Sequence, residues 1–152
     1  MSENQAQPFC YLFRVRYGEC DAQQVVFNAR YGEYVDLAVN EFLRQLFGGY
    51  QNLVQQGVET QVVRLLTEWQ GPARFDDVLC ARVYCNKLGN TSLQLAVDLT
   101  QHPSGQAVAT SEVTYVVVDA QQFTKVPIPN FMRTQLELGA PGVVVNHAGV
   151  IA

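Results

Sequence analysis

Asp21 opens a short stretch, Asp21-Ala22-Gln23-Gln24-Val25-Val26-Phe27-Asn28-Ala29-Arg30-Tyr31, that places a carboxylate, an amide and a tyrosine between two apolar segments. An ionised carboxylate close to an electrophilic carbonyl carbon has two uses: it attacks directly, or it activates a water as general base. Asn28 stands where a helical pattern begins, and the first backbone N–H groups of a helix lack partners and favour negative charge. Together these suit acyl transfer, in which a prearranged N–H donor contributes about 2.7–4 kcal/mol to holding the transition-state oxyanion. Taken alone, Asp21 reads more often as an ordinary loop turn, and Asn28 as a plain N-cap.

The other reactive side chains carry less. Cys20 precedes Asp21 but has no histidine near it in sequence, and a buried inert thiol is its commoner state. Asp36 and Glu41 lie within the helical pattern, where carboxylates are usually solvated or paired with a neighbour such as Arg44. His102 sits in a Pro-containing turn and His147 near the end, both read as surface residues. Arg64, Arg74, Arg82 and Lys87 are isolated basic candidates for phosphate contacts.

These residues need elements to hold them. Tyr11, Phe13, Val15 and Tyr17 alternate with Leu12, Arg14 and Arg16, the period of a half-buried strand. Tyr31, Tyr34, Val35, Ala38, Phe42 and Leu46 then recur at helical spacing, with Asn28 as the expected N-cap and Gly48-Gly49 as the stop. Val39, Leu37 and Leu43 add apolar surface outside that stripe, so the helix is expected to be wrapped on more than one side. Four β-rich runs follow at 61–70, 78–88, 92–100 and 107–119, divided by Gly71-Pro72, Gly89-Asn90 and His102-Pro103-Ser104-Gly105. A short helix capped by Asn130 is expected after Pro127 and Pro129. The order predicts an α+β domain, an antiparallel sheet of about five strands wrapped around one long central helix. Residues 1–8 read as a flexible N-terminus, 9–138 as the domain, and 139–152 as a mobile tail.

The 152 residues, 48% hydrophobic and 16% charged, suffice for one domain and leave so little surface charge that self-association is expected. A net charge of −4 without any Lys/Arg-rich run gives no footprint for nucleic acid or an anionic membrane. Four cysteines without CxxC spacing, far from the two histidines, make a zinc site improbable. No segment approaches a membrane span, and the first eight residues lack the basic start and apolar stretch of a secretory signal. A cytoplasmic protein with reduced thiols, and with neither metal nor bound cofactor, is expected.

The Asp21-to-Tyr31 stretch resembles the opening motif of the hydroxybenzoyl-CoA and Tol-Pal-associated acyl-CoA thioesterases, in which Asp-x-x-Gly-x-Val-x-[His/Asn/Tyr]-x-x-Tyr leads into the helix. The similarity continues through Gly71-Pro72-Ala73-Arg74-Phe75-Asp76-Asp77, Lys87-Leu88-Gly89-Asn90-Thr91-Ser92 and Ala109 to Asp119. The resemblance implies a hotdog fold and hydrolysis of a small or medium acyl-CoA, or of an aromatic one, to the free acid and CoA. Asp21 would serve as nucleophile or general base and the Asn28 backbone N–H as oxyanion donor. Gln24, Val25, Val26, Phe27 and Tyr31 would contact substrate. It further implies a homodimer joined sheet edge to sheet edge, with the site at the interface and pairing into tetramers common. One departure stands inside the motif: the family's Gly is Gln24, which is expected to reshape the loop or narrow the acyl pocket. Two alternatives from other classes remain, a hotdog hydratase or dehydratase, and a non-catalytic acyl-thioester binding protein.

Overall fold

The computed structural model describes residues 7–151. Six strands form a single sheet in the order β2-β5-β4-β3-β1-β6, where β1 is Phe9–Arg14, β2 Val58–Trp69, β3 Val78–Leu88, β4 Ser92–Gln101, β5 Ala107–Asp119 and β6 Val144–Asn146. All neighbours are antiparallel except β6, which runs parallel to β1. The sheet curls over α1 (Tyr31–Phe47), and α2 (Tyr50–Gln55) and α3 (Asn130–Leu138) complete the helices.

Side-chain alternation decides which face meets the helix. Leu93, Leu95, Val97 and Leu99 of β4 share a core with Phe9, Tyr11 and Phe13 of β1 and with Tyr31, Tyr34, Val35, Ala38, Val39 and Phe42 of α1. Burying a large apolar side chain such as Phe42 contributes roughly 1.5–3 kcal/mol, so this stripe is what seats α1 in the sheet. Gly48, at φ 81°, ends α1 in the left-handed conformation, as the Gly48-Gly49 pair predicts.

Several expectations are corrected. β1 ends at Arg14, so Tyr17 lies in a 3-10 turn (Tyr17–Glu19) and is 81% exposed rather than buried on the strand. β1 is also buried on both faces, because Cys10 and Leu12 pack with Cys80 under Ala148 of the C-terminal segment. That segment, read as a tail, supplies β6, and Arg14 donates two hydrogen bonds to the Ala148 carbonyl. Cys10 and Cys80 face one another across β1 and β3, Cα atoms 6.1 Å apart. The register pairs Leu12 with Cys80 and Cys10 with Arg82, which sets the two cysteines diagonally on one face. Asn28 does not cap α1: a 3-10 turn (Asn28–Arg30) intervenes and Arg30 holds the cap position without a side-chain bond. Pro129, not Asn130, stands at the cap of α3. No helix among the described residues is long and apolar enough to cross a membrane.

Candidate active site

The chain leaves β1 and is tied at once to the β2–β3 loop, with the Val15 N–H donating to the Asp77 carbonyl and the Asp76 N–H to that of Val15. Glu19 then accepts two hydrogen bonds on Oε1, from the Arg16 N–H at 2.7 Å and from the Tyr34 hydroxyl at 2.9 Å. Tyr34 is fully buried on α1. Burial, and after it the hydrogen bond to Glu19, pushes its phenol far above the usual range, so it is a proton donor at any ordinary pH.

Beyond this anchor Cys20 and Val26 form an antiparallel bridge, and the Asp21 N–H donates to the Val25 carbonyl at 2.9 Å. Asp21 and Gln24 close the turn between them: the Gln24 N–H donates to the Asp21 carbonyl at 2.9 Å. Gln24 takes a φ of 63°, the left-handed region that favours glycine. Glutamine here holds a conformation that glycine adopts more readily.

The carboxylate of Asp21 accepts the Gln23 N–H on Oδ1 at 2.8 Å, and no other hydrogen bond reaches it among the described residues. The turn role read from sequence is thus real, and it leaves Oδ2 for chemistry. Asn28 heads its 3-10 turn, and its backbone N–H donates to no acceptor among the described residues. Asp21 and Asn28 border one cleft of about 300 Å³ together with Val25, Val26 and Tyr31. Val26 and Tyr31 are buried in its floor. Phe27 lies outside it, and Gln24 lines a neighbouring cleft that also includes Asp21.

The sequence reading missed the opposite wall, Trp69, Gly71 and Pro72 at the end of β2. Trp69 stands edge-on to Tyr31 with ring centroids 5.6 Å apart. The only signal was a lone tryptophan beside a Gly-Pro turn; its place opposite Asp21 follows from the Val26 N–H bonding the Ala73 carbonyl at 2.8 Å. Burial raises the Tyr31 phenol as well, with the Ala73 backbone opposing the shift. Of the rival acids, Glu41 pairs with Arg44 at 3.3 Å and Asp36 is exposed. The Cys20 thiol donates to the Arg16 carbonyl and its side chain packs against the core, and His147 meets the Tyr11 hydroxyl at 3.3 Å, neither of them in the Asp21–Asn28 cleft.

Residues 15–136 match the sequence profile of the thioesterase-like superfamily. The chain belongs to this superfamily. It is 27% identical over 124 residues to the long-chain acyl-CoA thioesterase FadM of Escherichia coli K12, covering 82% of this chain and 93% of that one. A putative esterase of Aquifex aeolicus is 35% identical over 71 residues, 47% of this chain and 56% of the relative, so that match spans little more than half of the other protein. Among solved structures, the probable thioesterase YbaW of Escherichia coli superposes with a TM-score of 0.76 at 26% identity over 84% of this chain and 96% of that one. The gentisyl-coenzyme A thioesterase BH1999 does so with a TM-score of 0.73 at 25% identity over 82% and 98%. The hotdog arrangement, one curled sheet around one long helix, is therefore the fold of this superfamily member.

Proposed function

We propose that the protein hydrolyses acyl-CoA thioesters in the cleft between Asp21 and Asn28. The observation that carries this reading is the pairing, in one cleft, of a carboxylate with an uncommitted oxygen and a backbone N–H that has no acceptor. The thioester carbonyl oxygen would receive the Asn28 N–H as it gains charge, which lowers the barrier at the carbonyl carbon. Asp21 then either attacks that carbon, expelling the thiolate and leaving a mixed anhydride that water cleaves, or removes a proton from an attacking water. Val25, Val26, Tyr31 and Trp69 offer apolar and aromatic surface for a small, medium or aryl acyl group. The relatives named as acyl-CoA thioesterases support the same chemistry.

The reading includes a homodimer. β2 is a long edge strand whose outer side has no partner among the described residues, and Val62, Val63, Leu65, Leu66 and Trp69 are all exposed on it. An apolar edge of that kind is covered when a second copy extends the sheet. Because Trp69 belongs both to that strand and to the Asp21 cleft, the partner would lie beside the site.

Replacing Asp21 with asparagine tests the chemistry while keeping the Oδ1 acceptor for Gln23. Hydrolysis of a panel of short, long and aromatic acyl-CoAs is expected to fall by about 10²–10⁴-fold with the circular dichroism spectrum unchanged. Undiminished turnover in D21N overturns the assignment.

A further inference from the structure

Two segments form the Asp21 cleft, the loop from Asp21 to Tyr31 and the turn after β2 that carries Gly71 and Pro72. They meet at Ala73, which is fully buried and whose carbonyl takes the Val26 N–H at 2.8 Å. The width of the cleft therefore depends on what holds Pro72 and Ala73 in place. On the near side the backbone does so. The Gln70 and Gly71 N–H groups both donate to the Val108 carbonyl, at 2.8 and 3.1 Å, and a Cβ on Gly71 would lie 3.0 Å from the Ala107 oxygen. On the far side the anchor is a side chain. Gln101, the last residue of β4, is partly buried and does not line the cleft. Its Nε2 donates to Asp77 Oδ2 at 2.9 Å and to the Pro72 carbonyl at 3.4 Å, so one amide spans the two sides of Ala73. No other hydrogen bond reaches the Pro72 carbonyl among the described residues. The same Asp77 oxygen accepts the Arg74 N–H at 2.8 Å, and the Asp77 N–H donates to the Arg74 carbonyl at 3.1 Å, which closes the turn between them. Asp77 also gives its own carbonyl to the Val15 N–H at 2.9 Å, at the root of the loop that carries Asp21. Gln101 is itself held, its N–H on the Gln106 carbonyl and its carbonyl on the Gly105 N–H, each at 2.8 Å.

We propose that Gln101 is a positioning residue for the Asp21 cleft: through Asp77 and the Pro72 carbonyl it sets how far the Pro72–Ala73 wall stands from Asp21 and the Asn28 N–H. The proposal rests on the thioesterase reading for its kinetic consequence. A substrate carbonyl in this cleft has Asp21 and Asn28 on one side and Trp69, Gly71 and Pro72 on the other. When the far wall shifts, that carbonyl leaves the position from which the Asn28 N–H and the carboxylate both reach it, and a displacement of about 1 Å lowers a rate by on the order of a hundredfold. Gln101 suits the task because its two amide hydrogens serve two acceptors at once. Asp77, an acceptor-only carboxylate, draws a charge-assisted bond that holds the amide in one orientation. An apolar side chain of the same length would leave the Asp77 oxygen with the Arg74 N–H alone and the Pro72 carbonyl with no donor.

Q101M keeps the length and removes the donor, whereas Q101K keeps a donor and sets a positive charge against Asp77. Asn52, whose side chain donates to the Phe47 carbonyl at 2.9 Å at the far end of α1, supplies the control N52A, which loses a comparable bond away from the cleft. On a panel of acyl-CoAs, Q101M is expected to lower kcat roughly five- to tenfold with a smaller change in KM, and Q101K and N52A to stay within about twofold of wild type. Trp69 is the only tryptophan of the chain and borders the same wall, so its fluorescence reports the wall without any turnover. Its emission is expected to shift in Q101M and to stay unchanged in Q101K and N52A. Where Q101M does not fold, Q101N, whose amide falls one carbon short, is read in its place. If wild type hydrolyses thioesters, the kinetics decide: a fall in kcat confined to Q101M supports the role. A Q101M no slower than N52A, or a Q101K as slow as Q101M, overturns it and leaves the thioesterase reading standing. If no thioester is hydrolysed, Trp69 decides: a shift confined to Q101M upholds the positioning of the wall while the thioesterase reading fails, and any other pattern overturns both.

Discussion

The Tyr34 hydroxyl, carried on the buried face of α1, donates a 2.9 Å hydrogen bond to Glu19 in the loop that presents Asp21. One bond therefore fixes the loop to the core helix, and it does so two residues before the carboxylate. Y34F removes the donor and leaves Glu19 with the Arg16 N–H alone. A hydrogen bond to a charged group contributes about 1.5–3 kcal/mol, and with Glu19 partly solvated the lower end applies. Thermal unfolding of Y34F is expected a few degrees below wild type, with a larger proportional fall in kcat than in 1/KM because the loop loses its position.

Gln24 tests the same loop from the other side. Because its φ is 63°, Q24G relieves the left-handed strain while loosening the unfolded chain, and the two effects nearly cancel. Urea denaturation should find Q24G as stable as wild type or up to about 1 kcal/mol more stable. Q24V adds a β-branch to the unfavourable backbone and is expected to lose about 1–2 kcal/mol.

The exposed β2 edge predicts self-association. Leu65, 47% exposed, lies beside Gly32 of α1, where a Cβ on the glycine would meet the leucine Cδ2 at 3.7 Å. L65K puts a charge on that edge, the device by which sheets resist pairing. Light scattering after size exclusion is expected to give a dimer for wild type and a monomer for L65K. A wild-type monomer at micromolar concentration would remove the edge-to-edge arrangement.

Asp98 supplies a pH dependence away from the site. It lies across from Arg82 on the face of the sheet turned away from α1, and burial raises its carboxyl above the usual range despite the opposing pull of Tyr84 and Arg82. A carboxyl whose pKa is higher in the folded state is most favourable when protonated, so its contribution to stability is lost as pH rises through that folded pKa. D98N keeps an acceptor for Tyr84 without the charge. It is expected to unfold at a higher temperature than wild type at pH 7, and the gap should close as the pH is lowered into the carboxylate range.

Much of this molecule is written locally. Periodicity alone sets α1 from Tyr31 onward, its Gly48 stop, and three of the strands within a residue, because each depends on which face of a short segment is apolar. The motif from Asp21 to Tyr31 likewise brings Asp21, Val25, Val26, Asn28 and Tyr31 to one cleft, since they lie on a single loop, the turn that follows and the first residue of α1. Asn28 is not the cap its residue type suggests: the preference of asparagine for caps is real, but a 3-10 turn costs no side-chain bond and displaces the cap to Arg30.

Where the long-range partners lie, local pattern gives no information, and only the tertiary structure decides. Trp69 enters the site from a strand end more than forty residues away, through the bond between Val26 and Ala73. β6 escapes the periodicity because three residues make no repeat and their stability comes from β1 alongside. The same covering by the C-terminal segment buries Cys10 and Leu12, residues whose side of the strand reads as outward. The sequence by itself determined the carboxylate, the helix start behind it and the kind of fold that joins them. Tertiary structure decided which walls surround that carboxylate, because a cleft is made by segments that meet only when the sheet closes around α1.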